Sequence, residues 1–404
     1  MNKKNAVSAI LVTSFLFFLF CGKGREENPD VNVIHNGKTP GEPSVSLVFH
    51  PDESFGTICD EAWAYPTKLL PDDEGNIYVF DDGAEKPTFY RFDESGRLTL
   101  TKSFNRGQGP GELGMMNPYF DSSGCLHIFD RYSHRLIVLD EDFEYKDMVK
   151  FETNLFHVQA DSNNFIYGFA MGTPNEEQRK PPIVFPWFLG KFSADGNLLS
   201  KIFDYTTFSI RISGSKGIIY AYPRYGIHRI SGENEIYYAQ SDKYEINIKD
   251  SHGILLKKII KEADKILITD SDIKRNIQFE GPIPTGREFE TAAASEHKPY
   301  IDDFLILDNG YLLVMTYEYD DGEHDTVRAD LFDETGRFLT KVDVPGYYGA
   351  YSPFLWMKKA KAVQGDYFYT IRENETGEVY CLRRYRMELR GIELSSSAAS
   401  LASE

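Results

Sequence analysis

The chain is poor in the residues that several large functional classes require. Its 404 residues hold 44 Lys+Arg against 62 Asp+Glu, a formal net charge of −18. No basic stretch offers a footprint for a phosphate backbone, which excludes nucleic acid as the partner. The acidic excess reads as solubility. Cysteine is scarce, with Cys21, Cys59, Cys125 and Cys381 widely spaced. No Cys-x-x-Cys pair exists, so a zinc ribbon and a dense disulfide framework are both excluded, and buried thiols with at most one bridge are expected. Nine histidines are present, but none forms a His-x-x-x-His ligand pair. There is no Gly-x-Ser-x-Gly nucleophile elbow and no EF-hand spacing. Hydrophobic residues make up 41% and aromatics 14%, enough for a packed core and too much for wholesale disorder.

Only one long apolar run occurs, and it is N-terminal. Lys3 and Lys4 precede an almost wholly apolar stretch, Ala9 to Phe20, and Cys21 follows. A basic start and an apolar run of this length describe an export signal. Cys21 resembles the lipid acceptor of a bacterial lipoprotein, whose thiol takes a diacylglycerol. The residue before it, Phe20, departs from the small residue such signals carry. Lipidation is the leading expectation, with plain cleavage and a retained anchor as alternatives, and all three place the folded part outside the cytoplasm. Residues 1–21 are thus read as the signal segment and 22–43 as a flexible polar tether.

The body is repetitive. A turn followed by a β-rich run recurs at Gly75–Asp81, Gly124–Asp130, Asn164–Tyr167, Asn234–Tyr238, Gly310–Val314 and Gly365–Tyr369. Each copy precedes a second alternating run that leads towards a tight turn, as in Phe89-Tyr90-Arg91-Phe92-Asp93-Glu94-Ser95-Gly96. Asp accepts hydrogen bonds from nearby backbone N–H groups, and Gly supplies the positive φ of a tight hairpin. Six such units over residues 44–392 specify an all-β, six-bladed β-propeller, each blade a four-stranded antiparallel sheet. The last unit lacks a good fourth strand, while Ser44–Phe49 is an orphan strand ahead of the first. That segment is expected to close the ring as the outer strand of the last blade. The longest departures from the repeat are 171–186, 204–226 and 259–299. The last of these carries a predicted short helix at 271–277, with Ser271 as a candidate N-cap. Residues 393–404 read as a disordered tail.

The run Arg106-Gly107-Gln108-Gly109-Pro110-Gly111-Glu112-Leu113, followed by Asn117-Pro118, Asp121, Gly124, Asp130 and Arg135-Leu136, resembles an NHL-type repeat. More narrowly, it is similar to the six-bladed propellers of bacterial envelope lipoproteins. It lacks the Gly-Lys-(Ser/Thr) ending of a phosphate loop and precedes a strand, so it reads as a sharp crossover between blades.

The resemblance implies either a binding propeller or, as the alternative, a metal-dependent enzyme of the lactonase or lyase kind. The second reading would need calcium or zinc; otherwise no cofactor is expected. Candidate ligands for it are His127 and His134 and the acidic groups Asp81-Asp82, Asp302-Asp303 and Asp320-Asp321-Gly322-Glu323, all of which read more simply as packed or solvated side chains. No catalytic residue is assigned. Aromatic faces stack on sugars and pack on peptides, which makes Tyr220, Tyr222 and Arg224, and Tyr347, Tyr348 and Tyr351, the candidate ligand-binding residues. The leading expectation is a non-enzymatic propeller of the cell envelope, lipid-anchored, that presents one face to a peptide, glycan or protein partner.

Overall fold

A computed structural model describes residues 31–391, apart from 61–62, 65, 84, 141, 174–175, 177–184, 208–209, 214–215, 223, 277–287, 294, 319–325, 346–359 and 374–378. Six antiparallel sheets make six blades, with strands a to d running outward from a central channel. Blade 1 is Pro66–Pro71, Ile77–Asp81, Thr88–Phe92 and Leu98–Ser103. Blade 2 is Met116–Phe120, Leu126–Asp130, Arg135–Leu139 and Tyr145–Lys150, and blade 3 is Leu155–Ala160, Ile166–Met171, Phe185–Phe192 and Leu198–Thr207. Blade 4 is Gly226–Ile230, Ile236–Gln240, Glu245–Lys249 and Leu255–Lys261, and blade 5 is Ile301–Ile306, Leu312–Thr316, Thr326–Phe332 and Phe338–Pro345. Blade 6 is Lys361–Gln364, Tyr367–Glu373 and Tyr380–Arg390, and its outer strand is Ser46–Pro51.

The ring therefore closes as the orphan strand implied, with Ser46 opposite Arg390 and Pro51 opposite Tyr385. A second N-terminal strand, Thr57–Asp60, pairs with the start of the same blade 6 strand, and the Cys59–Cys381 disulfide joins them. The single bridge falls within the cysteine expectation, and Cys125 remains a free thiol.

Each blade junction holds one apolar cluster, because a blade is apolar on both faces and neither is covered until its neighbours arrive. Phe80 and Phe89 of blade 1 meet Leu126 and Ile137 of blade 2. Leu69 and Val79 of blade 1 meet Tyr369 and Ile371 of blade 6. Leu47 of the closing strand joins Leu313, Leu331 and Val342 at the junction of blades 5 and 6. Each such side chain, fully buried, contributes about 1.5–3 kcal/mol relative to exposure.

The turns are uniform. At Asp72, Asp93, Asp121, Asp140, Asp161, Ser193, Ser231, Asp250, Leu307 and Asp333, the first residue donates its N–H to the carbonyl four residues on and accepts from the N–H three residues on. The residue three positions on always has positive φ, as at Gly75, Gly96, Asn164 and Gly336. In seven of the ten the leading Asp carboxylate also accepts two backbone N–H bonds, as Asp93 does from Ser95 and Arg97 at 3.0 Å each. All are a–b or c–d connections, so they share one face of the ring. The b–c and d–a connections emerge on the other face, and every long departure from the repeat belongs to them.

Three details were not anticipated. Part of the stretch read as a tether is a strand, since Asn32–Asn36 pairs in parallel with Lys257–Lys261 on the edge of blade 4. That edge offers unpaired backbone groups, and the β-branched Val33 and Ile34 suit an extended partner. Two of the insertions meet in a small extra sheet, in which Lys216–Ala221 pairs with Ile210–Ser213 and, in parallel, with Glu288–Ala293. The short helix spans Asp270–Asn276, and its cap is Thr269 in place of Ser271. The Thr269 hydroxyl accepts from the Asp272 N–H at 3.2 Å, and Asp272 Oδ2 accepts from the Thr269 N–H at 3.0 Å. Asp272 is three residues beyond Thr269, the spacing at which a side chain can return the bond.

Among the described residues no helix is long and apolar enough to cross a membrane. The signal segment with Cys21 and the tail from 393 lie outside the described residues.

Candidate functional site

The inner strands converge on a polar network that involves all six blades. Asp303 of blade 5 receives Arg229 of blade 4 on Oδ1 at 2.7 Å and Lys361 of blade 6 on Oδ2 at 2.8 Å. Lys68 of blade 1 donates from Nζ to the Pro118 carbonyl of blade 2 at 2.6 Å and approaches the Val158 carbonyl of blade 3 at 3.5 Å. Lys68, Asp303 and Lys361 occupy one level of the channel, each opposite the fourth residue of its b strand: Phe80, Met315 and Thr370. Register breaks at Pro66/Lys68, Phe156/Gln159 and Ile301/Asp303 turn the inner strands of blades 1, 3 and 5 at this depth. A bulge re-aims side chains in this way, and His157, inside the blade 3 bulge, has φ 52°.

The electrostatics follow from enclosure. Lys68 is surrounded by protein yet keeps partial solvent contact, as a channel-lining side chain does. Burial, reinforced by Arg229, lowers its ammonium to about 7. His228, next to Arg229, is 1% exposed, and among the described residues neither ring nitrogen has a hydrogen-bond partner. Burial, reinforced by Arg229, His157 and Lys68 and opposed by Asp303, holds it well below the usual imidazole range.

Of the sequence candidates, Tyr222 is buried (3% exposed), approaches Asp272 Oδ1 at 3.4 Å and packs edge-on against Tyr317. It ties the inserted helix to the body of the ring. Tyr220 lies in the extra sheet, and Arg224 is exposed and paired with Asp242 at 3.2 Å. Tyr347, Tyr348 and Tyr351 lie outside the described residues, as does the group Asp320-Asp321-Gly322-Glu323.

His127, the second residue of strand b, lies near the turn-bearing face, stacks on Tyr119 and bonds Asp121 at 2.8 Å. His134 sits in the b–c connection at the opposite end of the blade, so the two do not form a ligand pair. Asp81 accepts from the Ala64 and Gly83 N–H groups, and Asp82 accepts from the Met116 N–H at 3.0 Å. Burial, opposed by that hydrogen bond and by Arg106, raises Asp82 to about 6. Among the described residues no three His, Cys, Asp or Glu side chains lie together so as to hold a metal ion.

The glycine-rich run is the crossover from blade 1 to blade 2. Arg135 donates to the Gln108 and Gly109 carbonyls at 2.6 and 2.9 Å and is backed by the fully buried Asp130 at 3.3 Å. A side chain on Gly107 would collide with the Glu112 carboxylate.

Apart from Asp303, which the sequence offered only as half of an acidic pair, the channel network was missed in the sequence because its residues come one or two at a time from the inner strands of different blades. A lone Lys68 or Lys361 among β residues carries no local signal.

No protein-family model matches the chain, and no curated protein matches it. Similar solved structures include a Bacteroides fragilis protein provisionally described as exported, at 10% identity and TM-score 0.49, covering 88% of this chain and all of that one. A duf4221 family member from Bacteroides vulgatus matches at 10% identity and TM-score 0.48, with 86% and 99% coverage. Virginiamycin B lyase from Staphylococcus aureus matches at 8% identity and TM-score 0.41, with 85% and 99% coverage. The chain is thus assigned to its class, the six-bladed propellers, on its own strand order.

Proposed function

We propose that the chain is an exported, lipid-anchored binding propeller of a bacterial cell envelope, which presents its loop-bearing face to a peptide, glycan or protein partner. The observation that carries this reading is the asymmetry of the ring. One face is built from ten repeated hydrogen-bonded turns, and all the long connections gather on the other. A rigid scaffold that confines its variable loops to one end is built for recognition there. Tyr220 and Arg224 belong to those connections and, with Tyr347, Tyr348 and Tyr351, stand as the candidate contact residues, while the buried Tyr222 supports them from beneath.

Export is supported by the apolar run ahead of Cys21 and by the Cys59–Cys381 disulfide, a bond that persists in oxidising compartments. Labelling the full chain with a radioactive fatty acid, with Cys21→Ser as control, tests the anchor; equal labelling of both refutes it. Hydrogen exchange of the purified propeller with and without solubilised envelope tests the face. Protection is expected at Gly172, Arg224 and Tyr132 on the loop-bearing face. Protection confined to Glu74, Ser95 and Ser123 at the turns would overturn the reading.

A further inference from the structure

We infer that the central channel holds a binding site for an oxyanion, a carboxylate, sulfate or phosphate group of a small ligand, formed by Lys68, Arg229 and His228 and reached from the loop-bearing face. The inference does not depend on which partner the outer loops take.

Three observations converge. Lys68 extends its Nζ to two main-chain carbonyls, Pro118 and Val158, and among the described residues pairs with no carboxylate. It is an ammonium deep in the ring whose charged neighbour is another cation, Arg229. Asp303, the carboxylate of this level, is engaged on both oxygens by Arg229 and Lys361. Finally, His228 has two buried ring nitrogens without partners among the described residues, one of which is necessarily a donor. Buried polar groups are almost always paired, so an unpaired buried imidazole beside two cations marks a place where a ligand supplies the acceptor. An oxyanion would satisfy Lys68 and His228 together and keep Lys68 charged, while Arg229, whose Nη1 and Nη2 already donate to the His228 carbonyl at 2.8 Å and to Asp303 at 2.7 Å, adds its fixed positive charge beside them.

Access follows from the topology. Lys68 and Asp303 stand at the third positions of inner strands that begin on the loop-bearing face, so the network lies on the near side of the channel from that face.

The test is isothermal titration calorimetry of the propeller at constant ionic strength with sodium sulfate, sodium succinate and sodium phosphate as separate probes. The expected result is one saturable site per chain for at least one probe, and the preferred probe identifies the oxyanion class. Affinity should fall at least about tenfold in Lys68→Met and in His228→Phe, and be retained in Lys68→Arg, since each charge-assisted bond is worth about that factor. Far-UV circular dichroism identifies which variants are folded, and Lys68→Arg preserves the comparison if Lys68→Met is not. No saturable heat from any probe, or equal affinity in wild type and the two truncating variants, would overturn the inference.

Discussion

Cys59 and Cys381 stand directly opposite one another on paired strands, joined by a disulfide across 322 residues of sequence. The bond locks the N-terminal segment to the last blade, beside the strand that closes the ring. It therefore resists the one opening that a propeller ring is prone to, separation of its first and last blades. Cross-linking so long a loop is worth up to about 5 kcal/mol in the chain-entropy account. Cys59→Ser, or reduction of the native protein, should lower the urea midpoint substantially with little change in the far-UV spectrum before unfolding. An unchanged midpoint would show that the noncovalent closure suffices.

Leu47 tests that noncovalent closure. It is nearly buried in the apolar cluster between blades 5 and 6. Leu47→Ala should cost about 2–4 kcal/mol. Because ring closure is shared by every blade, Trp63 at the junction of blades 6 and 1 and Trp187 in blade 3 should report one coincident transition. Separate transitions would mean that the blades unfold independently.

The repeated turns allow two glycine replacements with different costs. Gly124 has φ +80° and open space where a Cβ would sit, so Gly124→Ala should pay only the backbone strain, about 1 kcal/mol. Gly336 has φ +94° and a Cβ there would fall 2.7 Å from Ile259 Cγ1. Gly336→Ala should cost clearly more, about 2–3 kcal/mol. Chemical denaturation of the two variants side by side checks the order.

Lys68 gives the stability a pH signature. Its folded ammonium titrates at about 7, and an unfolded lysine at about 10.4. Between those values the unfolded chain binds the extra proton, so stability rises with pH from about 7 to 9.5, by up to ~1.4 kcal/mol per unit. Asp82, raised to about 6, acts lower and in the opposite sense, as stability falls between about pH 4 and 6. Above about pH 10 the buried hydroxyls of Tyr205 and Tyr225, which hold their protons in the fold, reverse the rise. Lys68→Met should flatten the segment from 7 to 9.5 in urea melts, and a slope identical to wild type would contradict the assignment.

Much of the fold was legible because strands b and c carry their own punctuation. An Asp at the head of a turn and a residue tolerant of positive φ three places on, as in Asp93 and Gly96, fix the hairpin locally. The closing strand was legible as a remainder, one strand too many at Ser44–Phe49 and one too few after Glu388. The inner strands carry no such marks, and the bulges at Thr67 and His157 shift their register out of any simple alternation. The helix cap went to Thr269 because Asp272, and no acceptor three residues beyond Ser271, returns the bond. The disulfide was not legible as a pair, since nothing local connects Cys59 to Cys381.

The most direct test of the recognition face is site-specific photo-cross-linking of the full chain in its native envelope. A photoreactive residue at Met171, exposed on the loop-bearing face, or at Arg224 should give discrete adducts. The same residue at Ser95 or Ser123, on the turn-bearing face, should give none. Adducts confined to the turn positions would contradict the account and make the repeated turns the surface that is read.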